Sequence, residues 1–265
     1  MNTSITRRCL RAGALVIATL AQAAHAQSTA PAAPRTVAVI SLVGDKIDVV
    51  TSDRQTGKLN DANEHRVLPF AAAGVDIAAL AAAKDVLKRV DPSLDVALLA
   101  ASRLETFDAQ DAIFDGSHVK LPEEIAAAVQ REHAAQLVLV TKFRTEARLA
   151  AGNGALGNGK IAGLGFYIDF AAEVQNTDTG GVARGFIAPF AYVQLSLIDV
   201  ATNTVVRREN ATSSYLLGTA GTDAARNPWD VLDAQQKVDA LKEVLAAAVT
   251  ETLPRLMGAP SSTAK

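Results

Sequence analysis

Asp45, Lys46 and Asp48 stand just beyond an apolar run at residues 36–43, and the chain continues through Asp53 and Asp61 to His65 and Arg66. Two carboxylates and an imidazole are donor types that hold a divalent ion and lower the pKa of its bound water. Asp45, Asp48 and His65 therefore form one candidate metal set, with His118 as a further member, and its chemistry would be metal-assisted hydrolysis. The same residues, together with Lys46, Arg66 and His118, serve equally as a polar surface for a ligand or partner. Loops carry Asp for ordinary turn and solvation reasons, and no pair of His stands at helical spacing. Residues 44–69 read as a long connection, and connections of that length are often functional.

Other motifs point less directly to chemistry. Gly152-Asn-Gly-Ala-Leu-Gly157 matches the spacing of a dinucleotide-binding turn, but Asn158-Gly159-Lys160 and an alternating strand follow it where a helix is required. The segment is read as a glycine-rich hairpin loop. Ser117 and Lys120 have Ser-x-x-Lys spacing without the partner motifs that make such a pair catalytic, and the chain holds no Gly-x-Ser-x-Gly elbow. His133, in the tail of a helical pattern, is read as a capping or packing residue. Glu105, Asp108 and Asp111 are read as a solvated acidic patch, and Trp229 as the residue that packs the start of the last helix onto the body. No cofactor is implied.

The elements that must position these residues follow from hydrophobic periodicity. Residues 36–43, 96–100 and 137–140 are apolar nearly throughout, as buried strands of a parallel sheet are. Between them lie helical patterns around Ile77, Leu80, Ala81 and Leu87, and from Pro122 through Ile125 and Val129 to His133. From Ala162 to Val174 every second residue is apolar, which predicts a strand with one dry and one wet face. Tyr192 to Val200 repeats the pattern, a tight turn follows at residues 201–204, and residues 205–210 return as the second arm of a hairpin. Asn227 and Pro228 open a long last helix whose stripe is Val238, Leu241, Leu245, Val249 and Leu256. The predicted fold is α/β: a mixed sheet with a parallel core (strand, helix, strand, helix, strand), extended by antiparallel hairpin strands, plus a long C-terminal helix.

Arg7, Arg8 and Arg11, an apolar stretch at residues 12–21, and Ala24-His25-Ala26 have the order of a secretory signal with its cleavage site. Residues 1–26 are thus read as a signal peptide, 27–34 as a flexible leader, 35–257 as a single α/β domain and 258–265 as a tail. The apolar stretch is about half the ~20 residues a membrane-spanning helix needs. Cleavage before Gln27 removes three Arg and Cys9, the only cysteine, leaving 23 basic against 28 acidic residues and a net charge of −5. The mature chain then has no thiol for a disulfide, nucleophile or metal, and an acidic chain without a basic stripe is not suited to nucleic acid. Its place is the periplasm or outside the cell.

Three segments resemble, in order, the curli-secretion-channel and penicillin-binding-protein-activator group of envelope proteins. They are Arg35-Thr-Val-Ala-Val-Ile-Ser-Leu-Val-Gly44, His133-Ala-Ala-Gln-Leu-Val-Leu-Val-Thr-Lys-Phe143 and Tyr192-Val-Gln-Leu-Ser-Leu-Ile-Asp-Val-Ala-Thr-Asn-Thr-Val-Val206. The resemblance implies a non-enzymatic α/β module that works in envelope assembly through contacts with another envelope protein or a small ligand. Two departures stand out: no cysteine is placed for acylation, and Asn203-Thr204 occupies the place of a turn glycine. Channel members insert amphipathic hairpins into the outer membrane. Here the alternation at residues 160–174 is read instead as a half-buried sheet, since Gly163, Gly165 and Asp169 make a poor lipid-facing surface.

Overall fold

Thr36–Ser41 forms the first strand (β1), and everything from Val37 to Ser41 is buried, as its apolar and β-branched run demands of a strand covered on both faces. The computed structural model describes residues 35–52, 63–70, 74–151, 154–175, 182–218 and 227–259, all within one compact unit. The expected signal and leader and the end of the tail lie outside these residues. After β1 come β2 (Lys46–Thr51), β3 (Glu64–Pro69), α1 (Gly74–Val90), β4 (Asp95–Leu99), α2 (Leu104–Asp108) and a 3₁₀ turn at Ala109–Ala112. They are followed by β5 (Phe114–Asp115), β6 (His118–Val119), α3 (Glu123–Arg131), β7 (Gln136–Lys142), β8 (Arg144–Glu146), β9 (Leu149–Ala151) and β10 (Gly154–Leu156). The chain ends with β11 (Lys160–Gln175), β12 (Val182–Asp199), β13 (Thr204–Ser214), β14 (Leu217–Gly218), a second 3₁₀ turn (Pro228–Val231) and α4 (Ala234–Leu256).

The sheet is built in two halves on one long strand. In the first half β1 lies between β4 and β7, parallel to both, and β7 pairs antiparallel with the C-terminal part of β12. In the second half β11 pairs antiparallel with the N-terminal part of β12, parallel with β2, and β3 closes that edge antiparallel to β2. On one side of β12, Val193 faces Lys142 of β7 while Tyr192 faces Gly163 of β11. β7 and β11 are therefore consecutive along one edge of β12, and β1 gives way to β2 beside them. On the other side β12 pairs with β13 and then β14. Pro189 sits between those two partners, where no ladder bond is asked of its missing N–H.

Three buried clusters hold these layers. Helices α1 and α4 pack on one face, where Val37, Val39, Val138, Val140, Val193 and Leu195 meet Leu87, Leu241, Leu245 and Val249. Each such side chain contributes roughly 1.5–3 kcal/mol by leaving water. On the other face of the first half, Ala38, Ile40, Leu137, Leu139 and Ile198 pack with Ile125 and Val129 of α3. The third cluster lies against the second half, where Val50, Tyr167, Phe186, Phe190 and Tyr192 meet Ala147 and Leu149.

Three expectations change. Residues 44–69 are not one long connection: β2 and β3 form a hairpin there, with Ile47 and Val49 on either side of Asp48 at period two and Ile47 opposite Leu68. The expected wet face of β11 is also dry as far as Asp169, since Gly163, Gly165, Tyr167 and Asp169 are buried along with Leu164, Phe166 and Ile168. The excursion that carries β8 to β10 folds over it, with the Tyr192 hydroxyl donating to Arg148 O and accepting from Arg148 N, and Tyr167 bonded to Asn158. The last helix begins later than expected. Asn227 caps only the short turn at Pro228, and Asp233 opens α4 through a capping box with Gln236.

Candidate functional site

The site is the joint between the two halves, where Leu42, Val43, Gly44 and Asp45 carry the chain out of β1 and into β2. A broken strand leaves backbone groups without ladder partners, and each one buried unpaired is costly. Asp76, in the first turn of α1, accepts from Ser41 Oγ, from Val43 N at 3.4 Å and from Gly44 N at 3.2 Å. The approach requires glycine at position 44, for a Cβ there would stand 2.4 Å from Asp76 Oδ2. Gln110 makes the second stitch. Its Nε2 donates to Phe107 O and Leu42 O, and its Oε1 accepts from Lys142 N at 2.9 Å. Phe70 N closes onto Asp45 O at 2.8 Å.

Charge completes the joint. The Asp45 side chain is only 2% exposed and accepts from Lys142 Nζ at 2.6 Å, with Lys46 Nζ at 3.6 Å. Lys46 in turn reaches Asp108 at 2.6 Å. Hydrogen bonding to Asp108 raises the Lys46 pKa above its ordinary value, and the same bond lowers that of Asp108. Burial pushes the Asp76 carboxyl up, against the opposing pull of its bonds from Ser41, Val43 and Gly44.

A cleft of about 220 Å³ opens above this floor, at the C-terminal ends of β1 and β4, the place where open α/β sheets present ligand sites. Ser41, Gly44, Asp45 and Asp76 form its polar side, and Phe70, Leu80, Leu99, Leu104 and Phe107 most of its apolar wall. Leu104 is 68% exposed at the rim.

The structure divides the candidate residues among several places. Asp45 and Lys46 come together in the joint. Asp48 turns instead to His65, whose Nδ1 lies 2.8 Å from Asp48 Oδ2, as a diagonal pair across β2 and β3. Asp45, Asp48 and His65 thus do not form one set, and among the described residues no three His, Cys, Asp or Glu side chains are grouped to hold a metal ion. Arg66 points to the other face, into a second cleft of about 430 Å³ with Val49, Ile168, Phe170 and Trp229. His118 is exposed on β6 opposite Thr204, with four strands between β6 and β3.

The remaining motifs have structural roles. Asp108 of the acidic patch is held by Lys46. Gly154 lies in the β9–β10 hairpin, while Gly152 and Asn153 are outside the described residues. His133 ends α3 in a left-handed conformation. Trp229 packs edge-on to Phe166, with Lys237 Nζ 4.4 Å from its ring centre. Sequence reading missed Ser41, Asp76, Gln110 and Lys142. Asp76 alone carried a signal, as an acid in the first turn of a helix beside the strand ends.

No family model matches the chain, and no curated protein matches it. Among solved structures, the PelC dodecamer from Paraburkholderia phytofirmans is similar at 11% identity over 85% of this chain and 88% of that one, with a TM-score of 0.34. A putative neuraminyllactose-binding hemagglutinin homolog from Helicobacter pylori is similar at 8% identity over 86% and 88%, TM-score 0.35. A lipoprotein from Neisseria meningitidis is similar at 8% identity over 72% and 88%, TM-score 0.26.

Proposed function

We propose that this chain is an exported envelope module that binds without turnover, taking an apolar group of a ligand or partner protein into the cleft above the joint. One observation carries the reading: the polar groups beneath the cleft are already engaged with one another, and the wall left to an incoming group is apolar. Asp76 is held by Ser41 and two backbone amides, and Asp45 by Lys142 and Lys46. A general base or nucleophile needs an atom facing the reactant, whereas these atoms hold a broken strand together. The export order of residues 1–26 and the resemblance to the envelope-assembly group support the same reading. Among the described residues no helix is long and apolar enough to cross a membrane.

The test uses the neutral fluorophore N-phenyl-1-naphthylamine. Saturable fluorescence enhancement at one probe per chain, lost in Leu104→Asp with an unchanged circular dichroism spectrum, is the expected result. Enhancement that survives both Leu104→Asp and Phe107→Ser would place binding elsewhere and overturn the assignment of the cleft.

A further inference from the structure

Strand β4 is the outer member of the parallel trio, and among the described residues it pairs only with β1. Asp95 N donates to Arg35 O, so by the period of a strand Asp95, Ala97 and Leu99 direct their backbone groups inward. Val96 and Leu98 direct theirs outward, as a template for another strand. Proteins usually blunt such edges with charge, proline or a bulge. The opposite edge is treated in this way: β3 begins Glu64-His65-Arg66 and ends at Pro69. β4 has one acid at its start and then Val96-Ala-Leu-Leu99. Leu98 is 42% exposed, and Ile77, on the helix packed over the same face, is 59% exposed.

The two ends of this edge differ in charge. Arg35, Lys88 and Arg89 stand at the N-terminal end of β4 with two acids, Asp91 and Asp95, whereas Glu105 and Glu124 stand at the C-terminal end with one base, Arg103. A two-fold axis through the edge turns each copy's acidic end onto the other's basic end, so the surface complements itself.

We propose that β4 is the interface through which two copies of this chain form a symmetric dimer, their sheets continuing across an antiparallel pair of β4 strands. With Ala97 on the axis, Val96 of one copy faces Leu98 of the other, and the two exchange both N–H···O=C bonds. The two Ala97 residues then meet as a non-hydrogen-bonded pair with Cα atoms about 4.5 Å apart, within reach of a disulfide.

Sedimentation and cross-linking test this directly, with Cys9→Ser as background so that any disulfide belongs to an introduced cysteine. The parent chain is expected to sediment as a dimer at micromolar concentration. Leu98→Lys supplies the charge that other edges carry and weakens association on the order of a hundredfold, with an unchanged circular dichroism spectrum and unchanged N-phenyl-1-naphthylamine uptake. Oxidised Ala97→Cys runs at twice the monomer mass on a non-reducing gel. A parent chain that stays monomeric, an oligomer that persists in Leu98→Lys, or an Ala97→Cys chain that fails to cross-link would each overturn the proposal. The cleft assignment is decided by the fluorophore titration alone.

Discussion

Asp45 and Lys46 illustrate how differently two neighbouring charges contribute. Lys142 neutralises an almost fully buried carboxylate, while Lys46 bridges it to an exposed acid. Removing one partner of a buried pair strands the other, at a cost of about 3–5 kcal/mol; exposed pairs contribute little. Lys142→Met is therefore expected to destabilise the chain by about 3 kcal/mol in denaturant titration, whereas Lys46→Met leaves the midpoint nearly unchanged. Equal effects would mean that Lys46 can replace Lys142. The sequence marks Asp45 as a polar residue beyond a strand but cannot mark its partner, which lies 97 positions away. The same holds for Gln110, which becomes meaningful only once the turn it occupies lies beside the broken strand.

At the scale of elements, strands β1, β4 and β7 and helices α1 and α3 were legible because their apolar spacing is uninterrupted. β2 and β3 were not, because each is short and charged: Lys46 and Asp48 take up part of β2, and Glu64, His65 and Arg66 open β3, so the segment suggests a loop. The end of α3 was only half legible. His133 N donates to Gln130 O and Ala134 N to Val129 O, the pair of bonds that closes a helix through a left-handed residue. That residue is an exposed His with φ 49° where glycine is the usual choice. His133→Gly is expected to raise stability by about 0.5–1 kcal/mol by relieving this conformation; a loss would show that the imidazole makes a contact worth more than the strain. At the other end of α3, Glu124 accepts from Ser102 Oγ, Thr106 Oγ1 and Ser102 N. The Ser102 and Thr106 hydroxyls hold its pKa down at about 2, against 4.5 for a free glutamate. Its contribution is thus fully present above pH 4.5 and lost as the pH falls towards 2. Asp76 acts in the opposite sense, because its raised pKa makes protonation favour the folded chain. The stability gap between the parent and Glu124→Gln should therefore narrow between pH 4.5 and 2 in thermal melts, and a constant gap would assign its effect to packing.

At the scale of the molecule, the prediction of a mixed sheet with a C-terminal helix anticipated the layers, but not that the sheet is broken and rejoined. The excursion over the second half escaped notice for the same reason that β11 read as half wet: glycine and tyrosine look like a surface until something covers them. Gly165 is crowded from within the sheet as well, since a Cβ there would lie 1.9 Å from Asp48 O of the paired strand β2. Burial of Tyr167 and Tyr192 is likewise a product of tertiary structure, made possible because each hydroxyl finds a backbone or side-chain partner in the covering segment.

Strand β12 belongs to both halves, flanked by β7 and β11 on one side and by β13 and β14 on the other. Neither half can melt while the other stays intact, because each would take its shared wall with it. Calorimetry should show a single transition whose van't Hoff and calorimetric enthalpies agree. The amides of Val193 to Ile198 should exchange with deuterium only when the entire chain opens, making this strand the last part of the protein to acquire the label.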